Sequence, residues 1–435
     1  MGWLAAALAA VTGCTLPWPQ RSEQSESLGA RVRWVSFRGW RSCPQLDNGL
    51  VRVTHVPQVG GRTLEYGLAG ANFLFLGRRE LGTTLGETDR GYHFFGGHFA
   101  QLHPQERWQR LQSTAPPSLY MGRYTAQAVP AEDSAAAVEM TAPVDLATGT
   151  RLVRRAELFP GSTRLRLTDT LTNARQTPQE WGIQDIVQLK GVPSSTGILG
   201  GHEHAMGQIA LYVPTRPGGR LPGGYRHIVP RGSRSRAAEQ WTDRPGLLTL
   251  RYRRLYGETQ VDPALSWVAL ADESTGTVFV QWCEVPQRTI LSAGPPLSAY
   301  PFIELQSFAP AVALGPGQST TLVQDWYAAS CPGPIVDATL AGVVSAPLSL
   351  LRGDGRTWVA GKFGVFYVGS AVVVFRRADG SELGRLDVGP VHPLRPLSLN
   401  TAVELPPGTA EVSLDVRDST GRSVGHLGKI ILNAK

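Results

Sequence analysis

Short apolar runs, each closed by Gly, Pro, Asn or Asp, recur along this chain and limit it to a β architecture. Leu50-Val51-Arg52-Val53-Thr54-His55-Val56 alternates as a half-buried strand does; Gly60-Gly61 then marks a tight turn, and Thr63 to Leu68 reads as the returning strand. In this reading His55 points outward. Similar strands are expected at Ala136 to Met140, Arg151 to Leu158, Thr163 to Leu171, Gly246 to Tyr252, Trp267 to Ala271 and Thr277 to Glu284. No amphipathic helix longer than a turn or two is expected, and Leu81 to Arg90 and Pro230 to Thr242 read as surface loops. The 49 glycines and 32 prolines suit so many turns. The fold class expected is all-β, a large sandwich or barrel.

At 435 residues the chain exceeds a typical single domain. Thr320 to Tyr327 reads as a closing strand, and Pro332-Gly333-Pro334 then breaks the chain. A first domain is expected over 30–330. A small immunoglobulin-like sandwich is expected over 338–435, with a hairpin at Ala371 to Arg376 and Glu382 to Val388 and further strands at Ala410 to Val416 and Lys429 to Leu432. Ahead of both, Trp3 to Val11 is apolar but too short to span a bilayer. It ends at Val11-Thr12-Gly13-Cys14, which resembles the lipobox of bacterial lipoproteins. That resemblance implies export, cleavage before Cys14, and a lipid on its thiol anchoring the protein to a membrane of the cell envelope. The alternative is an ordinary secretory signal with Cys14 incidental. Residues 1–14 are thus the signal segment and 15–29 a flexible tether rich in Pro, Ser, Gln and Glu. Cys43, Cys283 and Cys331 are expected as small buried residues, with at most one disulfide among them. The net charge of +7 comes from arginines scattered among carboxylates, so nucleic acid is not an expected partner.

The segment Tyr92 to Trp108, YHFFGGHFAQLHPQERW, does not alternate as a strand should. Gly96-Gly97 would weaken any strand it interrupts and allows close backbone approach. Aromatic rings beside imidazoles suit a polar ligand with apolar faces, such as a sugar. Core packing by the same rings is the plainer alternative.

Four segments in order carry a family resemblance. Asn48-Gly49-Leu50-Val51-Arg52-Val53 with Pro57-Gln58-Val59-Gly60-Gly61-Arg62 resembles the opening hairpin of galactose-mutarotase-like domains. Phe95-Gly96-Gly97-His98 to Pro104-Gln105 and Trp108 resembles a segment that marks an uncharacterised bacterial branch of that superfamily. Leu171-Thr172-Asn173 with Trp181-Gly182-Ile183-Gln184-Asp185-Ile186-Val187-Gln188 is similar to a later strand pair, and Pro301-Phe302-Ile303-Glu304-Leu305 with Leu314-Gly315-Pro316-Gly317 and Trp326 to its closing strands. The resemblance covers roughly residues 30 to 330. It implies a large antiparallel β-supersandwich with a sugar-sized cleft on a concave sheet.

Mutarotases need a carboxylate base and an imidazole acid in reach of one sugar. The resemblance puts Glu304 at the position of the base, within an otherwise apolar strand. It also shows departures: Phe95 stands where epimerases carry a histidine before Gly-Gly, and Trp181-Gly182-Ile183 replaces the strand holding their acid. His98 or His103 are the substitutes considered. The expected sugar-lining residues are Arg62, Tyr92, Phe95, Gly96, Gly97, Gln105, Trp108, Trp181, Gln184 and Asp185; Trp326 reads as core. His202-Glu203-His204 could face one ion from a strand, but Gly200-Gly201 favours a solvated loop, so neither a metal nor another cofactor is expected. Three functions follow: an envelope lipoprotein that binds a carbohydrate, a saccharide-active enzyme (epimerase or lyase-like) using Glu304 with His98 or His103, and a structural envelope lipoprotein with a degenerate sugar site.

Overall fold

Two antiparallel sheets face each other across the largest core, and two smaller sheets form a second unit beside them. The computed structural model describes residues 29–85, 93–111, 116–192, 208–228, 237–253, 255, 257–283, 288–292, 301–353 and 355–432. The first sheet has twelve strands. Its main order runs Arg31–Phe37, Trp40–Asp47, Val51–Val56, Arg62–Leu68, Gly97–His103, Gln179–Lys190, Phe302–Phe308, Arg288–Ser292, Glu258–Val261 and Tyr225–Ile228. The second has ten, from Trp241–Arg244 at one edge through Thr277–Cys283, Ser319–Ser330 and Leu165–Asn173 to Thr125–Val129 at the other.

Alternation explains the burial between them. Leu165, Leu167, Asp169 and Leu171 of the strand Leu165–Asn173 face inward while the residues between them are half-exposed. Leu165 and Leu167 meet Val187, Leu189, Ile303 and Leu305 from the first sheet. At the centre Tyr66, Phe279 and Trp326 pack edge to face, with centroids 5.2–5.7 Å apart. His55 corrects the expectation for it: the imidazole is fully buried, hydrogen-bonded through Nδ1 to Thr63 Oγ1 at 3.0 Å. A register shift beside it, between Thr54 and His55, breaks the alternation on which the outward placement relied.

The segment around Gly96-Gly97 also differs from expectation. Gly97–His103 is a strand in the interior of the first sheet, and its lack of alternation reflects burial on both faces. Trp108 follows on the short helix Gln105–Leu111.

The smaller unit is a sandwich of two four-stranded sheets, one including Gly342–Gly353 and Arg356–Val365, the other Gly369–Arg376 and Glu411–Asp418. It packs on the outer side of the ten-stranded sheet: Ile335, Ala338, Val343 and Phe366 join Tyr212, Trp267, Val280 and Tyr327 in one apolar cluster. Tyr327 and Phe366 stack at 4.6 Å, and Thr163 N donates to Phe366 O at 2.9 Å. Cys43, Cys283 and Cys331 are all buried free thiols, and burial at this junction pushes the Cys331 thiol up to about 12.

Candidate functional site

Strand pairing decides which sequence-predicted residues can meet. Gln188 sits opposite Glu304 on one side and Gly97 on the other, while Val187 sits opposite His98. Successive side chains point to opposite faces of a sheet. His98 and Asp185 therefore face the interior, and Gln184, Gln188, Glu304 and Gln306 face away from it. The arrangement in which Glu304 and His98 close on one sugar is thereby corrected.

On the interior face His98 is fully buried, with Nε2 2.5 Å from Asp185 Oδ1 and Nδ1 2.9 Å from Arg154 Nη2. A guanidinium only donates, so Nδ1 accepts and the imidazole proton lies on Nε2, aimed at Asp185. Arg154, from the opposite sheet, also donates from Nε to Asp169 Oδ1 at 2.8 Å and from Nη1 to Gly61 O at 2.8 Å. Burial disfavours its charge, but Asp169 outweighs that and holds the guanidinium above its ordinary range. Gln281 and Gln324, again from the opposite sheet, donate to Asp185 at 3.0 and 2.6 Å. Ligand atoms of His98, Asp169 and Asp185 lie within 4.8 Å of one another, a spacing open to a metal ion, yet the Arg154 guanidinium already binds two of the three. The group is a polar bolt between the sheets, with Gln281 Oε1 lacking a partner among the described residues, and Asp185 spends its acceptors there rather than on a ligand. Trp181 and Trp108 are interior as well, packed with Leu152, Leu171 and Met140 of the second sheet.

On the outer face a directional chain of amides ends at Glu304. Gln105 Nε2 donates to Gln184 Oε1 (3.2 Å), Gln184 Nε2 to Gln306 Oε1 (3.0 Å), and Gln306 Nε2 to Glu304 Oε1 (2.7 Å). Gln188 Nε2 reaches Glu304 Oε2 at 2.7 Å from the neighbouring strand. An ionised carboxylate accepts only, so it turns both neighbouring amides nitrogen-first and sets the polarity of the row. Burial raises the Glu304 pKa, and the hydrogen bonds from Gln188 and Gln306 partly oppose the shift. The nearby Glu258 raises it further and Arg62 lowers it. Gln188 Oε1 is buried and has no hydrogen-bond partner. Such an acceptor costs about 1–3 kcal/mol until a donor reaches it. Along the same strand face Phe302 and Phe308 flank Glu304 and Gln306, and Phe302 contacts the Phe75 ring at 5.0 Å.

His103 shares this face by parity but lies opposite Gly182, six residues from Gln188 along the strand. At ~3.3 Å per residue that is roughly 20 Å from the Glu304 position, too far to serve the same sugar ring. His103 packs instead edge-on to Phe308, at 5.1 Å.

The other expected residues have structural work. Arg62 is buried, donates to Gly96 O at 2.9 Å, and lies over the Phe99 ring at 3.7 Å. Phe95 is fully buried against Trp40, Cys43 and Leu64. Gly96 and Gly97 have φ of +87° and +72°, and a Cβ on them would stand 2.1 Å from Phe75 O and 2.2 Å from Thr63 O. The close approach they permit is therefore to the protein's own backbone. Tyr92, Cys14 and His202 to His204 lie outside the described residues. Sequence reasoning missed Gln188, Gln306 and Arg154. The first two had a readable signal: Gln306 follows Glu304 by two, and Gln188 follows Gln184 by four, the spacing of one strand face. Arg154 had none, because its partners lie on another sheet.

No protein-family model matches the sequence, and no curated protein does. Among solved structures the chain is similar to a galactose mutarotase-like protein from Clostridium acetobutylicum (12% identity, 69% of this chain and 99% of that chain covered, TM-score 0.47). It is similar also to one from Lactobacillus casei (10% identity, 68% and 100% covered, TM-score 0.42) and to the Slr1438 protein of Synechocystis (12% identity, 68% and 99% covered, TM-score 0.45). These likenesses extend over about two thirds of the chain and are ones of outline.

Proposed function

We propose that this chain binds a carbohydrate on the outer face of the twelve-stranded sheet, around Glu304, and that it does so as an exported envelope protein anchored by lipid on Cys14. The observation that carries the binding reading is the pairing of an amide-held Glu304 carboxyl with the buried Gln188 Oε1, which has no hydrogen-bond partner among the described residues. Adjacent sugar hydroxyls are donors of the right kind for two such acceptors side by side. The sequence resemblance to galactose-mutarotase-like domains at the segments quoted above points the same way. The enzyme reading loses its proton donor, since neither His98 nor His103 shares a ring-sized space with Glu304.

The test is a titration of the protein with a panel of free monosaccharides and oligosaccharides, followed by Glu304→Ala. A hydrogen bond to a charged group is worth about 1.5–3 kcal/mol, so affinity should fall roughly 10- to 100-fold. Absence of any binding at millimolar sugar would reject this reading in favour of a structural role. Anomerisation of a bound sugar by the wild type would restore the enzyme reading. For the anchor, mass spectrometry should show acyl mass on Cys14 that Cys14→Ser abolishes.

A further inference from the structure

We propose that the hairpin edge of the large sheet, Arg31–Phe37 with Trp40–Asp47, docks on an anionic bilayer surface. Arg31–Phe37 is the outermost strand of its sheet, so its free side faces solvent. Arg33, Arg38 and Arg41 are exposed there, and none is paired with a carboxylate among the described residues. The fold adds a second basic segment that the sequence keeps apart. Gly39 packs on Gly82 so tightly that a Cβ would come 2.8 Å from Gly82 Cα, and Trp40 Nε1 donates to Thr83 O at 2.7 Å. This brings the turn Arg78–Glu80, with exposed Arg78 and Arg79, beside the hairpin. Among the described residues the acids nearby are already engaged: Asp47 with Arg31, Glu65 with Arg52, Glu80 with His93. The result is a local excess of guanidinium groups on a chain whose arginines look scattered in sequence.

Charge on an open edge has a plainer use, which is to keep the strand from pairing with another chain. Trp34 argues against that use alone. Its side chain sits on the same edge strand and is 49% exposed, which invites contact instead of preventing it. Arg33 and Trp34 are successive residues of the edge strand and flank its free edge from opposite faces, so a bilayer meeting that edge takes the indole at headgroup level on one side and lipid phosphates against the cations on the other. A soluble polyanion would engage the arginines but gain little from the indole. The inference goes beyond sugar binding and is independent of it. The lipid proposed on Cys14 bears only on reach: Arg31 follows Cys14 by 17 residues, at most about 60 Å of extended chain.

The experiment uses the full chain carrying Cys14→Ser, co-sedimented with vesicles of phosphatidylcholine alone or mixed with phosphatidylglycerol. Binding should be stronger to the mixed vesicles and fall as salt is raised. The combined variant Arg33→Gln, Arg38→Gln and Arg41→Gln should lose roughly a hundredfold in partitioning to the mixed vesicles. Trp34→Ala should lose several-fold while remaining salt-sensitive. All three arginines and Trp34 are exposed, so unchanged circular dichroism should accompany each loss. Equal binding to both vesicle types would overturn the proposal, as would full retention by the triple variant. So would a Trp34→Ala protein that binds the mixed vesicles as wild type does, which would leave only a generic polyanion site.

Discussion

His98 and Asp185 on one face of the central strands, and Gln188 and Glu304 on the other, are the same kinds of group in opposite conditions. The interior set spans two sheets: Arg154 of the second sheet joins Asp169 to His98, and Gln281 and Gln324 donate to Asp185, with Gln281 Oε1 left without a partner among the described residues. The outer set draws its partners from its own sheet and the adjoining helix, and it leaves a buried acceptor over at Gln188. A buried ionic group shared between two sheets ties them together; a polar row confined to one sheet's outward face, where Glu304 and Gln306 stay partly exposed, is a place for a ligand. The difference teaches that titratable residues on neighbouring strands need not share a task, because a strand hands alternate residues to different surroundings.

The interior set should fail structurally. Arg154→Met leaves Asp169 and Asp185 buried without their cation, and about 3–5 kcal/mol of stability should be lost in urea unfolding. Sugar affinity of the remaining folded protein should be unchanged; a parallel loss of affinity would erase the distinction between the faces. Gly97→Ala comes next, at about 2 kcal/mol or more, because it combines a left-handed φ with a Cβ against Thr63 O. His55 gives the pH test. Burial, followed by the charge of Arg154, lowers its pKa from 6.5 to about 3. Between those values the unfolded chain binds more protons than the folded one. Stability is therefore full above about pH 6.5 and falls as pH drops, by about 1.4 kcal/mol per unit. Comparing unfolding midpoints of wild type and His55→Leu at pH 7 and pH 5 should show the larger acid penalty in the wild type, since His227, His392 and His426, also lowered from 6.5, contribute equally to both.

Much of the fold was legible in the sequence. Strands such as Leu165–Asn173 and Thr150–Leu158 have a plain period of two, and Pro332-Gly333-Pro334 follows the last strand of the large sheets. Legibility failed at strands buried on both faces. Gly97–His103 shows no alternation because six of its seven residues are buried, so the sequence offers no sign of which side chains go inward. Glu304 stood out because a carboxylate breaks an apolar run. His98 stood out for the same reason, yet its surroundings were set by Arg154, Gln281 and Gln324, far away in the chain. Trp108 and Trp181 illustrate the same limit, since an aromatic at a cleft and one in a core read alike until the opposing sheet is in place.

The smallest stability effect is expected from the residue most important to the proposed binding. Glu304 has a raised pKa, so the folded state binds its proton more tightly than the unfolded state does. Its contribution is most favourable at low pH and declines as pH rises from its ordinary value through the raised one. Glu304→Gln removes that decline. The new amide can accept from only one neighbour on its oxygen and must donate to the other. If Gln188 turns over, its spare oxygen receives that donor and the chain of amides closes on itself. Stability at neutral pH should then change by no more than about 1 kcal/mol, with a gain as the expected sign, while the acceptor pair offered to a sugar disappears. Thermal unfolding and sugar titration of this one variant read both consequences. A loss of stability comparable to that of Arg154→Met would mean that the outer row, too, is a structural bolt.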